Sequence, residues 1–170
     1  ATIGGHLARG RLSDVIPVLL ALDATVTWHD GVDHTRPLAA FYREGRHQEP
    51  IIVTAVTIPR PPPRSATVFR KFSRTVFDLA ILNCACRIDL TDGARIAATR
   101  VVVGETPALG ASLHDVEVHL TGQPLSSEAV ASAAHMAAAA VPARSDERAS
   151  AEYRRSLTEV LVRRCLTEIA

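Results

Sequence analysis

A chain of 170 residues is long enough for one ordinary core or two small subdomains, and 47% hydrophobic with 22% charged residues fits a globular protein. A formal net charge of +1 and only 4% aromatic residues offer no basic, stacking face for nucleic acid. No apolar run approaches the roughly 20 residues that span a bilayer, and the N-terminus lacks the charged-then-apolar layout of a secretory signal. A cytoplasmic location is the expectation.

The chain opens with Thr2-Ile3-Gly4-Gly5-His6 and a polar stretch to Ser13-Asp14. Paired glycines let a backbone approach a bulky anion or ring and supply positive φ angles, so a ligand-facing loop is expected here. A helix should follow from Ser13 or Asp14 to Leu22, with Pro17 tolerated near its start and Asp14 as N-cap. Thr25–Trp28, an Asp30-Gly31 turn and Thr35–Leu38 read as a hairpin. His29, Asp30, Asp33 and His34 flank that turn at a spacing that matches no common metal site. Leu38–Tyr42 leads into a loop from Arg43 to Glu49. Ile51–Ile58, rich in β-branched residues and stopped by Pro59, reads as a buried strand.

Pro59-Arg60-Pro61-Pro62-Pro63-Arg64 can be neither helix nor central strand, and marks a boundary. Beyond it, Ala66–Phe72, Leu79–Leu90 and Ala94–Val103 read as three antiparallel strands, the last two joined by an Asp92-Gly93 turn. Arg70, Lys71 and Arg74 cluster at the end of the first and could neutralise a pyrophosphate. A loop from Gly104 to Leu109 contains Pro107. A short structured segment, Ala111–Leu120, precedes a helix capped by Ser126 or Ser127 that runs over Ala129–Ala140 and ends at Pro142. The last helix, about Ala149–Ile169, carries Leu157, Val160, Leu161, Arg164, Cys165 and Ile169 as a stripe, with basic residues such as Arg148 and Arg154 on its other faces. The spacing of Cys84, Cys86 and Cys165 makes no metal framework. Alternation puts the first two on one strand face as buried free thiols.

Thr2–His6 with Pro17–Ala24, Phe69–Arg74 with Asp78–Ala80, and the closing Ser145–Arg155 together resemble the FAD-binding subunit of the molybdenum hydroxylases, the xanthine dehydrogenase, aldehyde oxidoreductase and carbon monoxide dehydrogenase group. The resemblance runs through nearly the whole chain in order, and corresponds to the C-terminal part of such a subunit. Family members carry a further N-terminal half with another glycine-rich loop. The resemblance implies FAD in this subunit, with Ile3 by the isoalloxazine ring, the backbone of Thr2, Gly4 and Gly5 along the pyrophosphate and ribityl chain, and Asp14 on hydroxyls. His6 stands where relatives usually have Asn. Backbone contacts are implied near Ile52 and Val53, and a further contact at Lys71, with Arg70 as the alternative. Ser150, Tyr153 and Arg154 belong to the closing motif, with a structural or interface role.

No nucleophile elbow, H-E-x-x-H or carboxylate pair is present, so no catalytic residue is assigned and the chemistry would be the cofactor's. The resemblance implies partner subunits, one large with molybdopterin and one small with 2Fe-2S clusters, which deliver electrons to FAD and onward to an acceptor. The fold expected is α+β. Residues 1–58 form the second part of a FAD-binding domain, 59–64 a proline-rich linker, and 65–170 a C-terminal domain with a three-stranded antiparallel sheet and helices. The competing reading is an interaction module that docks onto partner subunits without holding flavin.

Overall fold

The computed structural model describes residues 2–105 and 109–170; Pro107 of the expected loop lies outside them. The first segment is not the loop that Gly4-Gly5 suggested. It is helix α1, Ile3–Arg9, capped by Thr2, whose Oγ1 accepts the Gly5 N–H at 3.1 Å. Thr2 is a good N-cap and Gly10 a good stop: its left-handed backbone (φ 66°) lets its N–H reach the His6 carbonyl. Gly4 and Gly5 therefore hold helical backbone, and positive φ falls at Gly10 instead.

Helix α2, Val15–Ala21, follows. Its cap is Ser13, not Asp14, because Ser13 Oγ accepts the N–H groups of Val15 (3.2 Å) and Ile16 (3.3 Å). Asp14 is already in helical conformation and turns its carboxylate elsewhere. Strands β1, Thr25–His29, and β2, Asp33–Pro37, form the expected hairpin, and helix α3, Leu38–Arg43, leads through a 3-10 turn, Arg46–Gln48, to strand β3, Ile52–Thr57. The sheet order is β2-β1-β3, all antiparallel, with Thr25 opposite Thr57 and His29 opposite Ile52. β3 is thus an edge strand rather than a buried one. Only its inward side chains, Val53 and Val56, reach the core of Leu7, Ile16, Val26, Trp28 and Phe41, and Ile52 is 68% exposed.

Residues 59–64 are exposed and carry no helix or strand. The second sheet holds the three long strands expected, β4 (Ser65–Phe72), β5 (Leu82–Leu90) and β6 (Ile96–Gly104), and a two-residue β7 (Ala111–Ser112), in the order β4-β5-β6-β7. β5 is central and buried on both faces, which explains its unbroken apolar run. Leu82, Cys84, Cys86 and Ile88 face a core shared with helices α4 (His114–Leu120), α5 (Ser127–Ala140) and α6 (Ala151–Ile169). Ala85, on the opposite face, packs with Ala21 of α2 and Val102. α2 therefore joins the first part of the chain to the second sheet.

Ser126 caps α5 and Ser150 caps α6. The buried stripe of α6 is rotated from the one expected: it runs through Arg154, Leu157, Thr158, Leu161, Val162, Cys165 and Leu166, while Val160 and Arg164 are exposed. Arg154, expected on a basic outer face, is 0% exposed. Two polar partners, the buried Glu105 carbonyl and the Asp146 carboxylate, make that burial tolerable.

Candidate functional site

α1 and β3 face each other across a cleft of about 360 Å3 lined by Thr2, Gly4, Gly5, Ala8, Phe41, His47, Glu49 and Ile51–Val53. Five of the nine residues singled out from the sequence, Thr2, Gly4, Gly5, Ile52 and Val53, line this one cleft. Ile3 stands 54% exposed on the same helix, and His6 is half-buried with Nδ1 inward and without a hydrogen-bond partner among the described residues. The walls are mostly apolar, and burial holds the His47 imidazole pKa below its ordinary value, which favours the neutral ring near pH 7.

Gly4 is the informative wall residue. Glycine in a helix costs about 1 kcal/mol relative to alanine. A Cβ on Gly5 would come within 3.1 Å of its capping partner Thr2 Oγ1, but a Cβ on Gly4 would meet nothing within 4 Å among the described residues. No packing demand within the described residues accounts for a missing side chain there. A bare backbone that faces open space at a cleft is what close approach of a ligand requires, and the residues present fit a bulky, part-apolar cofactor on this count.

The other two residues, Asp14 and Lys71, form a second group. Lys71 Nζ at the end of β4 donates to Asp14 Oδ2 at 2.9 Å, a half-buried ion pair between the two parts of the chain. Arg70 points away, to Glu168 on α6, so of the two cations it is Lys71 that meets the N-terminal segment. Asn83 of β5, absent from the sequence-level site, donates to Asp14 Oδ1 at 2.8 Å and to the Ser13 carbonyl at 3.3 Å. Its amide is fully buried inside a mostly apolar strand, and these two bonds satisfy its N–H groups.

Behind this group lies the closing segment. Glu105, 3% exposed, accepts the Ser13 N–H at 3.0 Å, and burial raises its pKa against the opposing Arg148 guanidinium. Arg148 lies 3.6 Å from Glu105 and donates to the Ala80 carbonyl at 2.7 Å. Arg154 donates to the Glu105 carbonyl and to Asp146 Oδ1, both at 2.6 Å. Burial opposes ionisation of Asp146, but the N–H groups of Arg148 and Ala149 and the Arg154 guanidinium outweigh it and lower its pKa. The closing motif thus grips Glu105, Glu105 grips Ser13, and Ser13 starts the helix beside Asp14. At the hairpin, His29 pairs with Asp33 (2.8 Å) and His34 with Asp30 (3.0 Å), exposed contacts within one turn.

Residues 1–61 match the family described as FAD binding domain in molybdopterin dehydrogenase, and residues 67–169 match the CO dehydrogenase flavoprotein C-terminal domain. The nicotine 6-hydroxylase medium subunit of Paenarthrobacter nicotinovorans is 31% identical over 172 residues, which cover 98% of this chain and 60% of that protein. The carbon monoxide dehydrogenase medium chain of Afipia carboxidovorans is 28% identical, over 97% of this chain and 59% of that one. The Cu,Mo-CO dehydrogenase in its cyanide-inactivated form superposes with a TM-score of 0.87 at 23% identity, over 100% of this chain and 62% of its own. Quinoline 2-oxidoreductase from Pseudomonas putida 86 does so with a TM-score of 0.85 at 22% identity, over 99% of this chain and 60% of its own. The chain spans about three fifths of the length of these relatives. With one family matched over well more than half of its length and a second over the segment before it, the chain belongs to the CO dehydrogenase flavoprotein family, the FAD-binding medium subunits of the molybdenum hydroxylases.

Proposed function

We propose that this chain carries about three fifths of the FAD-binding medium subunit of a molybdopterin-dependent, iron–sulfur-containing oxidoreductase, and that it supplies one wall of the flavin site. The observation that carries the proposal is the convergence of Thr2, Gly4, Gly5, Ile52 and Val53 on one cleft, with Gly4 open to it. The cleft sits at the low end of ligand pockets, about 300–1,000 Å3. FAD is larger than a drug-sized ligand, so the rest of the site comes from outside the described residues.

FAD, when bound, supplies a carrier that takes electrons from one partner and passes them to another. This chain's own residues bind and orient. The bare backbone at Gly4 and Gly5 admits the cofactor's chain to hydrogen-bonding distance. Ile3 and Ile52 offer apolar surface for a ring system and exclude water from it. Asp14 offers carboxylate oxygens to hydroxyl groups, and Lys71 and Asn83 fix where those oxygens point. The partners of the reading are a molybdopterin-binding large subunit and a small subunit with 2Fe-2S clusters. Residues 1–58 complete the FAD domain and residues 65–170 form the second domain, with 59–64 between them. Three buried unpaired thiols suit the reducing cytoplasm that the reading carries. Among the described residues no helix is long and apolar enough to cross a membrane.

The test is the absorption spectrum of the native assembly that contains this chain, with its flavin released by acid and identified. One FAD per chain is the expected result. An assembly with its partner subunits attached and no flavin would overturn the proposal in favour of a docking module.

A further inference from the structure

The three cysteines, 79 to 81 residues apart between strand and helix, meet in the core of the second domain. Alternation along β5 sends Cys84 and Cys86 to the same face, with their Sγ atoms 3.6 Å apart. α6 crosses that face and brings Cys165 down upon them, its Sγ 3.9 Å from the Cys84 carbonyl. All three sulfurs lie within 4.8 Å of one another, and all three residues are buried. A C-x-C spacing alone gives no metal framework; the third thiol, supplied by a helix far along the chain, is what the sequence did not disclose.

We propose that Cys84, Cys86 and Cys165 form a three-thiolate site for a soft d10 cation, Zn2+ or Cu+. Metal–thiolate bonds are about 2.3 Å long, so three thiolates around one such ion stand about 4 Å apart, inside the span observed here. Thiolates select soft ions, and the surrounding side chains of this core are Val, Leu, Ile and Ala, which offer nothing to a hard oxygen-seeking ion. No fourth histidine, cysteine or carboxylate joins the group among the described residues, which suits three-coordinate Cu+ and leaves Zn2+ one position short of its usual four. Charge weighs the other way. Three thiolates with Zn2+ carry one net negative charge, with Cu+ two.

The surroundings suit a negative site. Arg70 is registered directly opposite Cys84 on β4. Where α6 crosses β4, a groove of about 530 Å3 lined by Arg70, Arg163, Arg164, Thr167 and Glu168 opens to solvent next to Cys165, and the Arg70–Glu168 ion pair spans it. Binding is a ligand exchange without oxidation or reduction: each thiol gives up its proton to solvent as its sulfur bonds the ion.

The test uses the complete natural polypeptide in its assembly, purified without oxygen, beside the same assembly carrying Cys165→Ser. Zinc and copper are counted in both, and the stripped proteins are then titrated separately with Zn2+ and with Cu+ against a chromogenic chelator, with proton release followed. The expected result is about one ion more per chain in the parent, about three protons released per ion, and at least a roughly tenfold weaker uptake in the variant. The titration also tells which of the two ions the site prefers. Equal metal content and equal uptake in parent and variant would overturn the proposal, as would a disulfide among these cysteines in the protein as isolated. Should Cys165→Ser not fold, Cys86→Ala takes its place, and a parent that takes up neither ion overturns the proposal without any variant.

Discussion

Gly104 and Asn83 are opposite each other on β6 and β5, and the strand pair has no room for a side chain at the glycine. A Cβ on Gly104 would lie 2.0 Å from Asn83 Oδ1 and 2.7 Å from Cγ of Pro17 in α2. Gly104→Ala should therefore cost about 2 kcal/mol through overpacking, and it should also push the Asn83 amide off Asp14. Denaturant midpoints of the parent and the variant check the first effect; an unchanged midpoint would mean that the α2–sheet contact yields without strain. At this scale the sequence disclosed residue types better than partners. Thr2, Gly4, Gly5, Ile52 and Val53 could be named because a resemblance carried their positions. Asn83 and Glu105 could not, since their role arises from strands and turns that meet Ser13 and Asp14 from 69 to 92 residues away. Arg154 looked like surface charge because its two acceptors, the Glu105 carbonyl and Asp146, are set by the fold.

The elements with a clear period were the legible ones. The three long strands of the second sheet and helices α5 and α6 follow from alternation, from Ser caps and from alanine content. α1 was misread because Gly-Gly outweighed Thr2 and Gly10, the start and stop signals on either side. β3 was misread because β-branched composition marks a strand without saying whether it is central or at an edge. The closing segment before α6 acts as an element in its own right, held by Asp146. Its carboxylate has a lowered folded-state pKa, so its contribution to stability is full above the ordinary value of 3.8 and is lost as pH falls through the folded value. Asp146→Asn should be less stable than the parent at pH 7 and should close that gap as pH falls below 3.8, measured by urea midpoints at both ends. A gap of constant size would remove ionisation from the explanation.

Across the whole molecule, α2 binds the first part of the chain to the second sheet. Ala21 packs on Ala85 and Val102, and Asp23, just past the helix, accepts from Arg87 (2.7 Å) and Arg100 (2.8 Å). The cleft at α1 and the Asp14–Lys71 pair are therefore held by one continuous framework that ends in the closing motif. The reading of that framework as a flavin support makes separable demands on two of its residues. Gly4→Val adds a side chain whose Cβ meets nothing within 4 Å among the described residues at the cleft, and Asp14→Ala removes the carboxylate. The measurement that tests this most directly is an equilibrium titration of the flavin-stripped complete polypeptide with FAD, wild type beside these two variants. The wild type should take up one FAD, each variant should bind at least about tenfold more weakly, about 1.4 kcal/mol, with a melting temperature for Gly4→Val no lower than that of the wild type, and the 170-residue chain by itself should bind poorly or not at all. Full affinity in both variants would contradict the assignment of this cleft and this carboxylate to the flavin.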